Sequence, residues 1–148
     1  MTPPMADRER AVFECFIFSF GYCWACGIDP FEPRKPIDRT LDYPRSLETH
    51  HICGGSGRSH DRRNLARLCK LCHDVLHGAV VQLAPASLKL HHVLWLKHRH
   101  DGPLDRRFLN TLRSRALPPM RTPPRWFTDQ YETRRRRKYP CKSNSCEK

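Results

Sequence analysis

Cys69-Lys70-Leu71-Cys72-His73-Asp74-Val75-Leu76-His77 joins a cysteine knuckle directly to a pair of histidines. A two-residue gap lets both sulfurs of a C-x-x-C reach one ion. His73 and His77 stand four apart, so a helix would carry them on one face. Gly78 follows as a stop signal, and a helix is predicted over residues 73–78. Far upstream, Cys23-Trp24-Ala25-Cys26 repeats the knuckle. Together Cys23, Cys26, Cys69 and Cys72 can supply four thiolates to one tetrahedral zinc, at about 2.3 Å per Zn–S bond. The 42 residues between the knuckles exceed the ~15–20 of a compact zinc ribbon, so an element is inserted there. The competing reading, a redox C-x-x-C beside an unrelated pair, lacks the βαβ context it would need.

The insert carries the chemistry. Residues 47–52 read as a short strand, and Gly54-Gly55-Ser56-Gly57 as the turn after it. Leu65, Leu68 and Leu71 recur in register beyond the turn. His50 and His51 are adjacent on the strand. Two histidines from a helix and one from a strand make a three-ligand site with a coordination position open, which is the catalytic pattern rather than the structural one. Neighbouring strand residues face opposite ways. His50 and His51 therefore serve one site only if the strand ends or distorts there, and the glycines that follow permit it. His60, His91, His92, His98 and His100 are expected at the surface or facing phosphates.

In sequence order, Leu47-Glu48-Thr49-His50-His51-Ile52, then Arg63-Asn64-Leu65, then Cys69-Lys70-Leu71-Cys72-His73 and His77, this region resembles the HNH endonuclease family. More narrowly it resembles the zinc-stapled branch, in which two C-x-x-C knuckles flank the catalytic unit. The resemblance covers residues 23 to 78, a little over a third of the chain. It implies a small α+β fold: a ββα-metal (His-Me finger) hairpin and helix gripping one divalent ion, stapled by zinc. It also implies His51 as general base, His50 and His73 as metal ligands, and His77 as a further ligand or phosphate contact. Asn64 would fix the loop between the strands and so align the base. Where many members run from His-His-Ile toward a proline, this chain has Cys53-Gly54-Gly55, so a different hairpin turn is expected.

The implied reaction is hydrolysis of DNA phosphodiesters, by nicking or double-strand cleavage, with RNA the alternative substrate. A divalent ion (Mg²⁺, Mn²⁺, Ni²⁺ or Zn²⁺) would offset charge gathering on the phosphate. A neutral imidazole would accept the proton of water near pH 7. Arg58, Arg62, Arg63 and Arg67 surround this stretch and are candidates to hold the DNA backbone. The alternative function is a zinc-stapled nucleic-acid-binding module without catalysis. No second domain reads as a sequence-specificity element, so a targeting partner protein is expected if cleavage is directed.

The flanks fit that reading. Residues 1–20 form an N-terminal extension whose helix-compatible part, residues 8–20, places Val12, Phe16 and Phe20 on one side. Residues 21–80 hold the nuclease core. Residues 81–117 read as helical, one helix over 87–100 capped by Ser87 and one over 103–117 with Asp105 near its positive end. Residues 118–148 hold nine Lys/Arg against three acids and five prolines, including the run Arg134-Arg135-Arg136-Arg137-Lys138. They are expected to form a disordered basic tail without a core face. The whole chain of 148 residues carries a formal charge of +12 with 39% hydrophobic residues. That favours a polyanionic partner and a small core in need of a staple. The longest stretches free of charged residues are 14 long, against ~20 for a membrane span. Asp7 and Glu9 stand where a secretory leader needs positive charge. The expected setting is intracellular: cytoplasmic, or nuclear in a eukaryote. There cysteines stay reduced. Cys15 and Cys53 are expected as buried small hydrophobes, and Cys141 and Cys146 as solvent thiols in the tail.

Overall fold

A computed structural model of the chain describes residues 7–30, 46–54, 59–78 and 87–138, the side chains of residues 137 and 138 excepted. Its centre is an antiparallel pair of short strands, β1 (Leu47–His51) and β2 (Leu65–Cys69). The register sets Leu47 opposite Cys69 and His51 opposite Leu65. The helix α2 (Lys70–Leu76) follows β2 without a linker. Cys69 is its N-cap, and the sulfur accepts from the Cys72 N–H at 3.5 Å. The helix closes at Gly78, whose φ of +73° suits a residue without a side chain. The recurrence of Leu65, Leu68 and Leu71 does not trace one face. The first two lie on opposite sides of β2, which is buried along its whole length, and the third sits in α2.

Around this hairpin pack α1 (Asp7–Ser19), α3 (Leu90–Asp101), α4 (Arg106–Thr111) and α5 (Arg125–Lys138). Phe16 of α1 meets Phe20 at 5.1 Å between ring centroids, and Phe20 meets Trp24 edge-on at 4.9 Å. Leu65, Leu68, Leu88, Val93, Leu94 and Leu109 complete the centre of the core. Cys53 is buried there as expected, but Cys15 is exposed, since α1 turns it away from Phe16. Ser87 does not cap α3. The helix starts at Leu90 with Lys89 at its N-cap, whose N–H donates to His92 Nδ1 at 2.9 Å. The helix expected over 103–117 is shorter, although Asp105 does cap it by accepting from the Phe108 N–H at 2.9 Å.

The arginines near the histidines serve the fold. Arg67 is buried, donating to the Phe20 carbonyl at 3.1 Å and the Thr49 hydroxyl at 3.0 Å. Arg62 grips Asp101 with Nε and Nη2. Asp101 also accepts from Lys97, which is 2% exposed, at 2.8 Å. Arg63 is held by Asp61 and Asp105 and lies over the Phe108 ring at 3.6 Å. Arg58 falls outside the described residues. Of the arginines expected to hold the DNA backbone, Arg67 is thus buried, while Arg62 and Arg63 pair with carboxylates and keep 39% and 49% of their side chains exposed. Arg62 and Arg67 find their partners in segments distant in sequence, whereas Arg63 pairs with Asp61 two residues before it as well as with Asp105.

The disordered tail is corrected too. Pro123 and Pro124 do not prevent helix formation; they precede α5, where a missing N–H costs nothing. The Pro124 carbonyl accepts from the Phe127 N–H at 3.0 Å. Phe127 is fully buried, so residues beyond 117 do contribute to the core. Gly27 lies against α5: a Cβ there would stand 3.0 Å from the Tyr131 Cα. Phe127→Ala is expected to lower stability by about 3–5 kcal/mol, the range for emptying a buried aromatic site. Urea unfolding followed by circular dichroism measures this, and an unchanged midpoint would show that α5 is not docked. Residues 139–148, with Cys141 and Cys146, lie outside the described residues.

Candidate metal centres

The first centre is the four-cysteine group. After Cys23 the chain turns tightly: the Cys23 carbonyl accepts from the Gly27 N–H at 2.9 Å, and the Cys23 N–H donates to the Ile28 carbonyl at 3.0 Å. Gly27 takes a φ of +76° to allow this. The Trp24 N–H donates to the Arg67 carbonyl at 3.0 Å, which docks this knuckle on β2 beside the second one. The sulfurs of Cys23, Cys26, Cys69 and Cys72 lie within 4.8 Å of one another and are all buried. Cys26 and Cys69 sulfurs are 3.7 Å apart. A tetrahedron with 2.3 Å Zn–S bonds has edges of about 3.8 Å, so the group has the size zinc requires. Burial opposes charge on Cys23, yet hydrogen bonds from Cys26, Cys69 and Cys72 bring its pKa well below the thiol range. Hydrogen bonding to Cys23 and Cys26 in turn holds Cys69 and Cys72 well above it. A divalent cation among the four sulfurs would displace their protons. The cluster is fit to hold a structural zinc.

The second centre lies on the adjoining face of the hairpin. His50 comes from β1, His73 from α2, and His77 from the C-cap of α2. His50 Nδ1 lies 3.2 Å from His73 Nε2, and His77 Nε2 lies 3.1 Å from that same nitrogen. Ligand atoms about 2.1 Å from one ion stand roughly 3.0–3.4 Å apart in octahedral or tetrahedral geometry, so these three residues can hold a metal. Burial, and then the neighbouring His73 and His77, push the His50 pKa down to about 3, which keeps it neutral as a ligand must be. His77 is exposed, so the group faces solvent on one side.

Sequence reading missed Glu48. Its Oε2 bonds His73 Nδ1, the nitrogen turned away from the cluster. Metal-bound histidines are commonly oriented in this way by a carboxylate. The sequence signal was present: Glu48 is two residues before His50, hence on the same strand face. Lys70 stands 4.0 Å from Glu48 and 3.2 Å from Asp74.

His51, the last residue of β1, is not brought into this cluster. It lies toward the other face, where its Nε2 is 3.0 Å from His60 Nδ1, and Phe13 of α1 flanks both rings. Asn64 is fully buried and uses its whole amide. Oδ1 accepts from the Cys53 N–H at 2.8 Å, while Nδ2 donates to the carbonyls of Cys53 at 3.1 Å and Ser59 at 2.9 Å. It thereby ties both ends of the segment between the strands. The remaining histidines are not all superficial. His92 is buried, and His100 lies parallel to the Trp24 ring at 5.4 Å, with burial lowering its pKa to about 4. No helix among the described residues is long and apolar enough to cross a membrane. Neither the protein-family models, the curated proteins nor the solved structures give a match to this chain.

Proposed function

We propose that the chain is a metal-dependent endonuclease of the HNH type, with a ββα-metal unit, that hydrolyses phosphodiester bonds in DNA. The observation that carries this reading is the order strand, strand, helix, with His50, His73 and His77 converging at the helix. A pure binding module has no use for three imidazole nitrogens aimed at one point. When bound, a divalent ion would supply charge stabilisation to the phosphate.

The chain's own residues do the rest. His50, His73 and His77 would hold the ion, and Glu48 orients His73. His51 stays off the metal and accepts the proton of the attacking water. Asn64 fixes the backbone on which His51 is aimed. The charge of +12 favours a polyanion, and the exposed Arg136 with its neighbours Arg134 and Arg135 on α5 offers it a docking surface.

The test is nicking of supercoiled plasmid by the purified, zinc-loaded chain across Mg²⁺, Mn²⁺, Ni²⁺ and Zn²⁺, with EDTA and RNA arms. Metal-dependent conversion to open-circular or linear DNA is expected. Folded protein that binds the plasmid and cuts nothing with any of these ions overturns the nuclease in favour of the non-catalytic binding module.

A further inference from the structure

We propose that His60 is the positioning residue for His51: it fixes the tautomer and ring orientation of that imidazole. The inference rests on the nuclease reading above. His60 belongs to none of the motif positions that mark His50, His51, Asn64 and His73, and its role is visible only in space.

The geometry is specific. His60 Nδ1 faces His51 Nε2 at 3.0 Å, across nine residues of sequence. Phe13 lies edge-on to His60 at 5.7 Å and stacks beside His51 at 6.4 Å, so the pair is backed by an apolar wall. His60 is itself held from behind. The Ser59 carbonyl accepts from Asn64 Nδ2 at 2.9 Å, and the Ser59 hydroxyl accepts from the Asp61 N–H at 3.1 Å. Asp61 in turn caps the short 3-10 turn Arg62–Asn64 that leads into β2. A chain of contacts thus runs from Asn64 through Ser59 to His60 and on to His51. Asn64 acts on the base from both sides, through Cys53 behind His51 and through His60 at its ring.

A neutral imidazole carries its proton on one nitrogen and a lone pair on the other, and the hydrogen bond made by one decides the state of the other. With Nε2 engaged by His60, His51 exchanges protons with water through Nδ1. That needs the tautomer with hydrogen on Nε2, which donates to the lone pair on His60 Nδ1. The proton taken from water arrives at Nδ1, and the resulting imidazolium keeps its Nε2–H bond to His60. Without that acceptor the Nε2–H form loses the hydrogen bond that favours it.

The test compares wild type with His60→Ala and His60→Asn. The Asn amide reaches where Nδ1 of histidine sits and can accept the same bond. Long-range ¹H–¹⁵N spectra of the zinc-loaded protein read the His51 tautomer without any cleavage. Wild type and His60→Asn are expected to show the Nε2–H form, and His60→Ala a mixture. In single-turnover nicking, His60→Ala is expected to be about 10–100-fold slower, the usual effect of removing a partner of this kind. DNA affinity and the catalytic-metal midpoint should stay within about twofold of wild type, and His60→Asn should recover most of the rate. The proposal is overturned if wild-type His51 carries its proton on Nδ1. It is also overturned if His60→Ala leaves tautomer and rate unchanged, or if His60→Asn is as slow as His60→Ala. A wild-type chain with the Nε2–H form that nicks nothing under any metal overturns the nuclease reading, with this role for His60, and leaves only the hydrogen-bonded pair.

Discussion

Cys69→Ser is expected to leave the chain without a cooperative melting transition and without bound zinc. Serine is nearly the size of cysteine, and its hydroxyl can still cap α2 by accepting from the Cys72 N–H, so local structure alone predicts a small effect. The metal predicts a large one. Structural zinc contributes on the order of 10–16 kcal/mol to zinc-dependent folding, comparable with the ~5–15 kcal/mol total stability of ordinary domains. Here the cysteines join two segments 42 residues apart, and α5 rests on the first knuckle at Gly27. Losing zinc should therefore release both β2 and α5. Thermal denaturation by circular dichroism, paired with zinc content by mass spectrometry, decides the matter. A Cys69→Ser protein with wild-type melting temperature and zinc content would show that the four sulfurs hold no structural ion.

His51→Ala should cut the single-turnover cleavage rate by about 10²–10⁴-fold, the range for loss of a general base, with the catalytic-metal titration near wild type. His50→Ala and His73→Ala should instead move that titration to higher metal concentration, because each removes a ligand. The geometry supports this division: His50 Nδ1 faces His73 at 3.2 Å, whereas His51 Nε2 faces His60. Calorimetric titration of the metal into each zinc-loaded variant is paired with single-turnover nicking. If His51→Ala loses the metal and His50→Ala keeps it, the two roles are exchanged. Cleavage at the wild-type rate by all three would place the activity elsewhere.

What could be read in the sequence was whatever depends on short spacing. The C-x-x-C pairs were legible because two sulfurs three positions apart share an ion through local geometry. The pair His73 and His77 was legible because a helix repeats every 3.6 residues; the glycine turn expected after β1 lies, from Gly55 on, outside the described residues. The contacts that reach across the chain were not legible. Glu48 meets His73 at a separation of 25 residues, and Arg62 meets Asp101 at a separation of 39. In sequence Arg62 reads as a free cation. In the fold it belongs to a salt-bridge network with Lys97. The prolines before α5 read as breakers because their effect depends on position, and the burial of Phe127 that anchors the helix comes from tertiary packing.

Cys72 and His73 are adjacent in a helix of seven residues. A helix that short does not persist alone in water. With zinc bound as proposed, drawing Cys69 and Cys72 to Cys23 and Cys26 would hold its histidines on one face. On a ribosome, that cannot happen until residue 72 has emerged, and His77 comes later still. With zinc bound as proposed, assembly would run from thiolates to imidazoles. In the proposed arrangement a chain without zinc would lack the clamp that sets its histidines together, and zinc supply would govern when they become a site.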